Sequence, residues 1–421
     1  MNVRRSAAAL AASAVLCAAA APAALAAPSP APPVPSGLYG KGDPTYDGVW
    51  RQSLSFLAQS TAGLRPAGQA VDWLTGQQCA DGSFASFRAD AAKPCDAETM
   101  RDSNATAAAV QALTAVGGKD AVVAKAVAWL KAAQNEDGGW AYSPAPGAPS
   151  DANSTGIVAG ALAVAGQQPA AVKSKAGKTS FDALAALQLT CPQPGVSTAA
   201  DLGAFAYQPD KAGKLAANAD ATAAAALGVL GKGLVVAAPT TDVPVTPAKP
   251  SCGKAPADAA QAAAGAAGYL DATLARTDAH LMSAMPGATD QPDVGNTADA
   301  VIALAAGGHK AAAAKPLAWL EKNGAAWAKT AGPAAYAQLV LAAHAGGADP
   351  RAFGGTDLVA ALGTQGPAPT ETAVAGDAND AVQENDDEGL GSGLWWIIGA
   401  GAAAGMGIGI LISGRKRKRQ S

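Results

Sequence analysis

The sequence predicts an all-α chain: an α/α toroid of alternating outer and inner helices, followed by one C-terminal transmembrane helix. Three observations carry this. Alanine is by far the commonest of the 421 residues, while aromatic residues make up only 5%; Ala has the best helix propensity, and β-branched and aromatic residues are too sparse for a large all-β fold. A helix-and-turn unit recurs with an offset of 56 residues, the mark of a repeat architecture. The helices that follow the repeated units are apolar all round, which requires burial on every side. A ring of inner helices wrapped by amphipathic outer ones meets that requirement; an open α-solenoid is the alternative.

In chain order, residues 1–26 read as a secretory signal peptide. Arg4-Arg5 form a positive n-region, 6–21 an uncharged apolar region, and Ala24-Leu25-Ala26 a cleavage site of the A-x-A kind. Leu16 before Cys17 is too large for a lipobox. Residues 27–45 form a Pro-rich mature N-terminus.

The toroid spans 46–365. The stretch from Ala70 through Trp73-Leu74 and Gln78-Cys79-Ala80-Asp81-Gly82-Ser83-Phe84 stays in register with the stretch from Ala126 through Trp129-Leu130 and Gln134-Asn135-Glu136-Asp137-Gly138-Gly139-Trp140. Weaker copies lie at 183–188 and 316–320. Each copy starts as an amphipathic outer helix with Trp73, Trp129 or Trp319 as a core anchor, and Trp50 sits on the first outer helix. The apolar helices at 105–116, 155–165, 221–230 and 298–306 open on clusters of Asp, Asn and Ser, good acceptors for free first-turn N–H groups. About five pairs are recognisable, with a Pro/Thr-rich external loop at 235–256 between the third and fourth units.

Four cysteines remain after signal cleavage: Cys79, Cys95, Cys191 and Cys252. An even number outside the cell implies two disulfides. Of the three connectivities, Cys79–Cys95 with Cys191–Cys252 lets each pair bracket one loop, and the first closure is worth about 3 kcal/mol in the chain-entropy model.

Residues 366–389 form an acidic stalk with seven acids and no base, expected to be disordered. Residues 390–413 are uncharged and long enough to cross a bilayer. Trp395-Trp396 mark the outer interface, and the basic tail at 414–421 stays in the cytoplasm by the positive-inside rule. The expected localisation is therefore the cell membrane, single-pass, with the N-terminal domain outside. Gly401, Gly405 and Gly409 repeat at four-residue spacing and offer a face for a homodimer contact, the alternative being chance spacing in an Ala/Gly-rich helix.

With the seven bases of the two ends set apart, the middle carries 30 − 7 = 23 bases against 33 acids, a balance of −10. Such a surface is a poor partner for nucleic acid. Three histidines and six glutamates leave thin material for acid–base chemistry.

Gln134 to Trp140 resembles the Q-x-x-D-G-x-W motif of prenyltransferase and squalene-cyclase repeats, and Gln78 to Phe84 is a second match with Phe in place of Trp. The resemblance implies a terpenoid-cyclase-like toroid over about 45–360. Asp151-Ala152-Asn153-Ser154-Thr155-Gly156 is also similar, more weakly, to inner-helix starts of cobalamin carriers such as intrinsic factor and transcobalamin. Fold does not settle function. The D-x-D-D acid of protonating cyclases, the Asp-rich Mg²⁺ motif of ionising synthases, the zinc set of protein prenyltransferases and the G-C-G-E-Q thioester motif are all missing. The expectation leans away from an enzyme, with no catalytic residue, metal or obligate cofactor assigned.

The open case is the toroid mouth. Parallel inner helices gather their positive N-terminal ends at one rim, where anionic or carbonyl-rich ligands are favoured. The candidate ligand contacts are Asp102, Asn104, Thr106, Asp151, Asn153, Thr155, Asn218, Asp220, Thr222, Asn296 and Thr297; plain helix capping is the competing role. The expected function is a non-catalytic, membrane-anchored toroid that binds a small molecule, a corrinoid being one suggested by the carrier likeness, for delivery to a membrane transporter. A divergent enzyme on isoprenoid or glycan substrates, and a purely structural surface-interaction protein, are the alternatives.

Overall fold

The computed structural model describes residues 34–283 and 291–371, all within the compact unit Met1–Thr372. The signal peptide, the predicted span, the basic tail and most of the stalk lie outside the described residues. Among the described residues, no helix is long and apolar enough to cross a membrane.

Among the described residues twelve α-helices follow one another: α1 (Gly48–Thr61), α2 (Gly68–Gly76), α3 (Ser103–Val116), α4 (Asp120–Ala132), α5 (Ala152–Val164), α6 (Ser180–Leu187), α7 (Ala219–Val229), α8 (Ala259–Arg276), α9 (Val294–Ala306), α10 (Lys310–Ala331), α11 (Pro333–Gly346) and α12 (Leu358–Gly363). The odd-numbered helices form an inner ring. Each packs on the next, and α11 returns to pack on α1, so the ring is closed. The even-numbered helices each lie outside the inner helix with which they pair. This is the α/α toroid expected, with six pairs rather than five.

The sixth pair comes from reassigning two helices. Trp50 lies on α1, which is an inner helix and not the first outer one. Its buried polar residues disguise it: Arg51, Gln52, Ser53, Ser55 and Gln59 are all under 5% exposed. Most of their polar atoms find partners nearby, Arg51 Nε and Gln59 Oε1 being the exceptions. Gln52 accepts from the Tyr39 N–H at 2.9 Å and donates to the Gly37 and Ala70 carbonyls. Ser53 and Ser55 donate back to the carbonyls four residues earlier, and Arg51 pairs with Asp47 at 3.3 Å. The segment 316–320 belongs to α10, while the outer helix of the fourth unit is α8.

A repeated clamp locks four inner helices to the turns before them. The hydroxyl of Thr106, Thr155, Thr222 and Thr297 accepts from the backbone N–H of Phe84, Trp140, Phe205 and Leu281 at 2.8–3.0 Å. Four residues earlier, Asp102, Asp151, Asn218 and Asp293 cap the same helices by accepting first-turn N–H groups. The motif glutamine completes the unit: Gln78 donates to the Gly82 carbonyl at 3.1 Å and Gln134 to that of Gly138 at 2.8 Å. Gln188 does the same with Gly203 at 2.9 Å. The third copy of the motif therefore exists, split by an insertion that carries Cys191.

Both disulfides form as expected, Cys79–Cys95 and Cys191–Cys252. The loop after α7 first crosses one end of the ring at 232–234; further on, the Val243 N–H donates to the Gly308 carbonyl and His309 Nδ1 meets the Val243 carbonyl at 2.7 Å. The folded domain reaches beyond both predicted limits: Tyr39 is fully buried, and Thr370–Glu371 pairs antiparallel with Leu64–Arg65. Trp73, Trp129 and Trp319 pack against the core as half-buried residues.

Small residues set the spacing of the ring. A Cβ on Gly156 of α5 would lie 2.2 Å from the Ala224 carbonyl oxygen of α7, and one on Gly228 would lie 2.6 Å from Gly156 Cα. Gly156→Ala is therefore expected to cost about 3 kcal/mol, since backbone cannot yield as a side chain can. Gly68→Ala, where a Cβ meets nothing within 4 Å, should be neutral or stabilising by up to ~1 kcal/mol. Urea unfolding of the two variants measures the contrast.

Candidate functional site

A cavity of about 290 Å³ occupies the axis of the ring and is lined from all six inner helices. Its wall follows the helical period. The second residue of α3, α5 and α7 supplies Asn104, Asn153 and Asp220 at one level. One turn deeper α9 supplies Asp299 and α11 supplies Gln338. Deeper again the wall is Gln111, Leu227, Ile302 and Leu341. Neighbouring helix starts meet across this wall: Asn153 donates to Asp220 at 2.5 Å, and Gln338 donates to the Gly295 carbonyl and to Asp299 at 3.1 and 2.8 Å. The starts therefore share one end of the ring, where Asp47, Ser86, Asp102 and Tyr142 also line the opening. Residues 232–234 line the other end.

The structure divides the eleven mouth candidates. Asp102, Asn104, Asn153 and Asp220 line the cavity. The four threonines are among the others: Thr106, Thr155, Thr222 and Thr297 are committed to the clamp and do not line it. Asp151 caps α5 and accepts from Ser154 N–H and Oγ and from the Tyr142 N–H. Asn218 caps α7 through the Ala221 N–H, and Asn296 is held by Asp293 at 2.9 Å. Position decides most of the division: the fourth helical residue faces the preceding turn and the second faces the axis, while among the caps Asp102 also reaches the cavity and Asp151 and Asn218 do not.

Trp50, Asp299, Gln338 and Gln111 line the cavity and were missed. Asp299 left a signal, as the single charge inside the apolar run of α9. Gln111 likewise interrupts the apolar α3. Trp50 was hidden by the misassignment of α1.

The electrostatics of the wall are uneven. Asp102 is buried and accepts from the Ala105 N–H at 2.9 Å and Ser86 Oγ at 2.8 Å. Asp220 and Asp299 have only the amides of Asn153 and Gln338 as side-chain partners. Burial, then the Asp220 charge, then Asp293 push the Asp299 carboxyl up to about 7, against the opposing Gln338 hydrogen bond. Burial raises Asp220 as well, opposed by Asn153 and reinforced by Asp293. Such paired, perturbed carboxyls in a cleft mark functional-site candidates. Three polar atoms on the wall are buried without a partner: Asn104 Oδ1, Asn153 Oδ1 and Gln111 Nε2. Among the described residues, no group of three or more His, Cys, Asp or Glu is placed to hold a metal ion.

No protein-family model and no curated protein matches this sequence. Solved structures give three similar chains. An ent-copalyl diphosphate synthase from Streptomyces platensis shares 18% identity over 71% of this chain and 50% of its own, with a TM-score of 0.44; the present chain thus spans half of that protein. A protein from Actinoplanes shares 14% over 75% of this chain and 95% of its own, with a TM-score of 0.44. A sugar epimerase from a ruminal bacterium shares 14% over 67% and 78%, with a TM-score of 0.38. At these scores the likenesses carry no functional argument; the toroid rests on its own helix packing.

Between about pH 4 and pH 7 the folded chain keeps a proton on Asp299 that the unfolded chain has released, so stability falls as pH rises through that window. Asp299→Asn removes this dependence. Thermal unfolding should show the variant more stable than the parent at pH 8, by about 2–4 kcal/mol, and little different at pH 4.

Proposed function

We propose that this chain is a membrane-tethered extracellular binding protein that holds a small molecule in the central cavity of its toroid without turning it over. The observation that carries the reading is the cavity itself: six helices enclose an apolar chamber whose wall presents amide groups with unpartnered atoms beside carboxyls that no cation pairs among the described residues. A ligand site has this character, mostly apolar with a few oriented polar groups. The export signal, the two disulfides and the uncharged 390–413 segment support an outside position on a single-pass anchor. Delivery to a membrane transporter suits such a tether, and Gly401, Gly405 and Gly409 would serve a homodimer of anchors. A corrinoid remains the ligand suggested by the carrier likeness, but the cavity volume favours a much smaller one.

One observation favours the enzyme reading instead. Asp299, held near neutrality beside Asp220, is a carboxyl able to keep and give up a proton at physiological pH. The two readings part on the fate of the bound compound.

The full-length protein is titrated by ligand-observed NMR with sets of small amines, alcohols and carboxylates, and with corrinoids, and bound compounds are recovered for mass spectrometry. Stoichiometric binding with unchanged recovery is expected. Ile157→Trp, which fills the cavity wall, should lower affinity at least tenfold without unfolding the chain. Chemical conversion that Asp299→Asn abolishes would establish the enzyme reading, and binding unaffected by Ile157→Trp would place the ligand elsewhere.

A further inference from the structure

The charge on the cavity wall goes further than the presence of a site. Four aspartates line it, Asp47, Asp102, Asp220 and Asp299, against Lys232, an exposed residue at the far end. Two of the four are already neutralised or saturated, Asp47 by Arg51 at 3.3 Å and Asp102 by its cap and Ser86 contacts. Asp220 and Asp299 are not: among the described residues no cation pairs with either, and the Asp220 charge opposes that of Asp299 across the α7–α9 boundary. Anions that are partly withdrawn from water and lack a counter-charge are costly, and their natural complement is a cation brought by something else.

Independent groups on the same wall agree. The Asn153 amide donates to Asp220, which fixes its orientation and leaves Asn153 Oδ1 as a buried acceptor with no donor. Trp50 presents an indole to the same chamber, and indole is the best side-chain face for a cation. At the deep end Gln111 is 2% exposed; its Oε1 accepts from the Leu234 N–H at 2.8 Å, and its Nε2 has no acceptor. A donor is wanted near Asp220 and Asp299, and an acceptor is wanted near Gln111.

We propose that the cavity is a site for a small organic amine, its ammonium seated between Asp220 and Asp299 beside Asn153 Oδ1, its apolar body against Trp50, Leu227 and Ile302, and a hydrogen-bond acceptor at its far end meeting Gln111. This rests on the cavity reading above and narrows it to one chemical class. No covalent step is involved; the ammonium supplies the missing counter-charge and N–H donors.

Three probes of one shape test it on the full-length protein by isothermal titration calorimetry at pH 8: tyramine, its neutral analogue tyrosol and its anionic analogue 3-(4-hydroxyphenyl)propanoate. Tyramine is expected to bind at least tenfold more tightly than tyrosol, with the propanoate weakest. Asp220→Asn and Asp299→Asn should each bring tyramine to the level of tyrosol while leaving tyrosol unchanged, which separates loss of charge recognition from loss of folding. Tyrosol binding as tightly as tyramine, or tyramine insensitive to both substitutions, overturns the amine assignment and leaves the cavity reading standing. Preference for the propanoate overturns it in the same way. No heat with any of the three also overturns it, and the cavity reading then stands or falls on the wider ligand sets.

Discussion

The constraint on which this structure depends is that a helix apolar on every side has to be covered on every side. α5 and α7 offer no polar face to turn outward. Each is covered by a neighbour on its left and right and by an outer helix behind it, and the only arrangement that does this for every inner helix is a closed ring. α1 against α11 is the closing contact. Glycine lets the ring contract: at Gly156 and Gly228 backbone meets backbone, and alanine elsewhere keeps the walls thin.

Closure has a consequence that the packing rule alone does not contain. Six helices cannot all touch at the axis, so a chamber remains, and whichever residues point inward leave bulk water. Along α3, α5 and α7 the second residue points inward, and it is Asn, Asn and Asp. α9 carries glycine at that level and places its acid one turn deeper, as Asp299. Two carboxyls thereby share a region of low polarisability with amides for company, and the cost of ionising both appears as a carboxyl held near neutral pH. The clamp threonines and capping aspartates sit in the same sequence clusters, yet the threonines spend their hydrogen bonds on the preceding turn and the aspartates spend theirs largely on the first turn of their own helices. Clusters alike in composition thus divide into structural and available groups by a rotation of two residues.

Much of this was legible in the chain. The offset of 56 residues, the apolar runs behind each capping cluster and the spacing of Cys79, Cys95, Cys191 and Cys252 led to the toroid and both disulfides. The sixth helix pair was not legible, because Gln52, Ser53, Ser55 and Gln59 give α1 the pattern of a surface helix although all four are buried and hydrogen-bonded to nearby groups. The third motif copy escaped because an insertion separates Gln188 from Gly203, and contiguous matching cannot join what only folding brings together. At the site, residue type identified Asn104, Asn153 and Asp220 but could not separate them from Thr106, Thr155 and Thr222, which differ only in where the helix turns them. Asp299 lay in plain view as a lone charge in an apolar run, a pattern more telling than any cap.

The closed ring holds Asp299 beside a second acid, in surroundings that disfavour its ionised form. Site-resolved ¹³C NMR of the aspartate carboxyls through a pH titration measures that most directly. The Asp299 resonance should titrate near pH 7, with Asp220 also raised above its ordinary value. An Asp299 midpoint close to 4, the value of a solvated aspartate, would mean that the ring is open or the chamber flooded, and would contradict it.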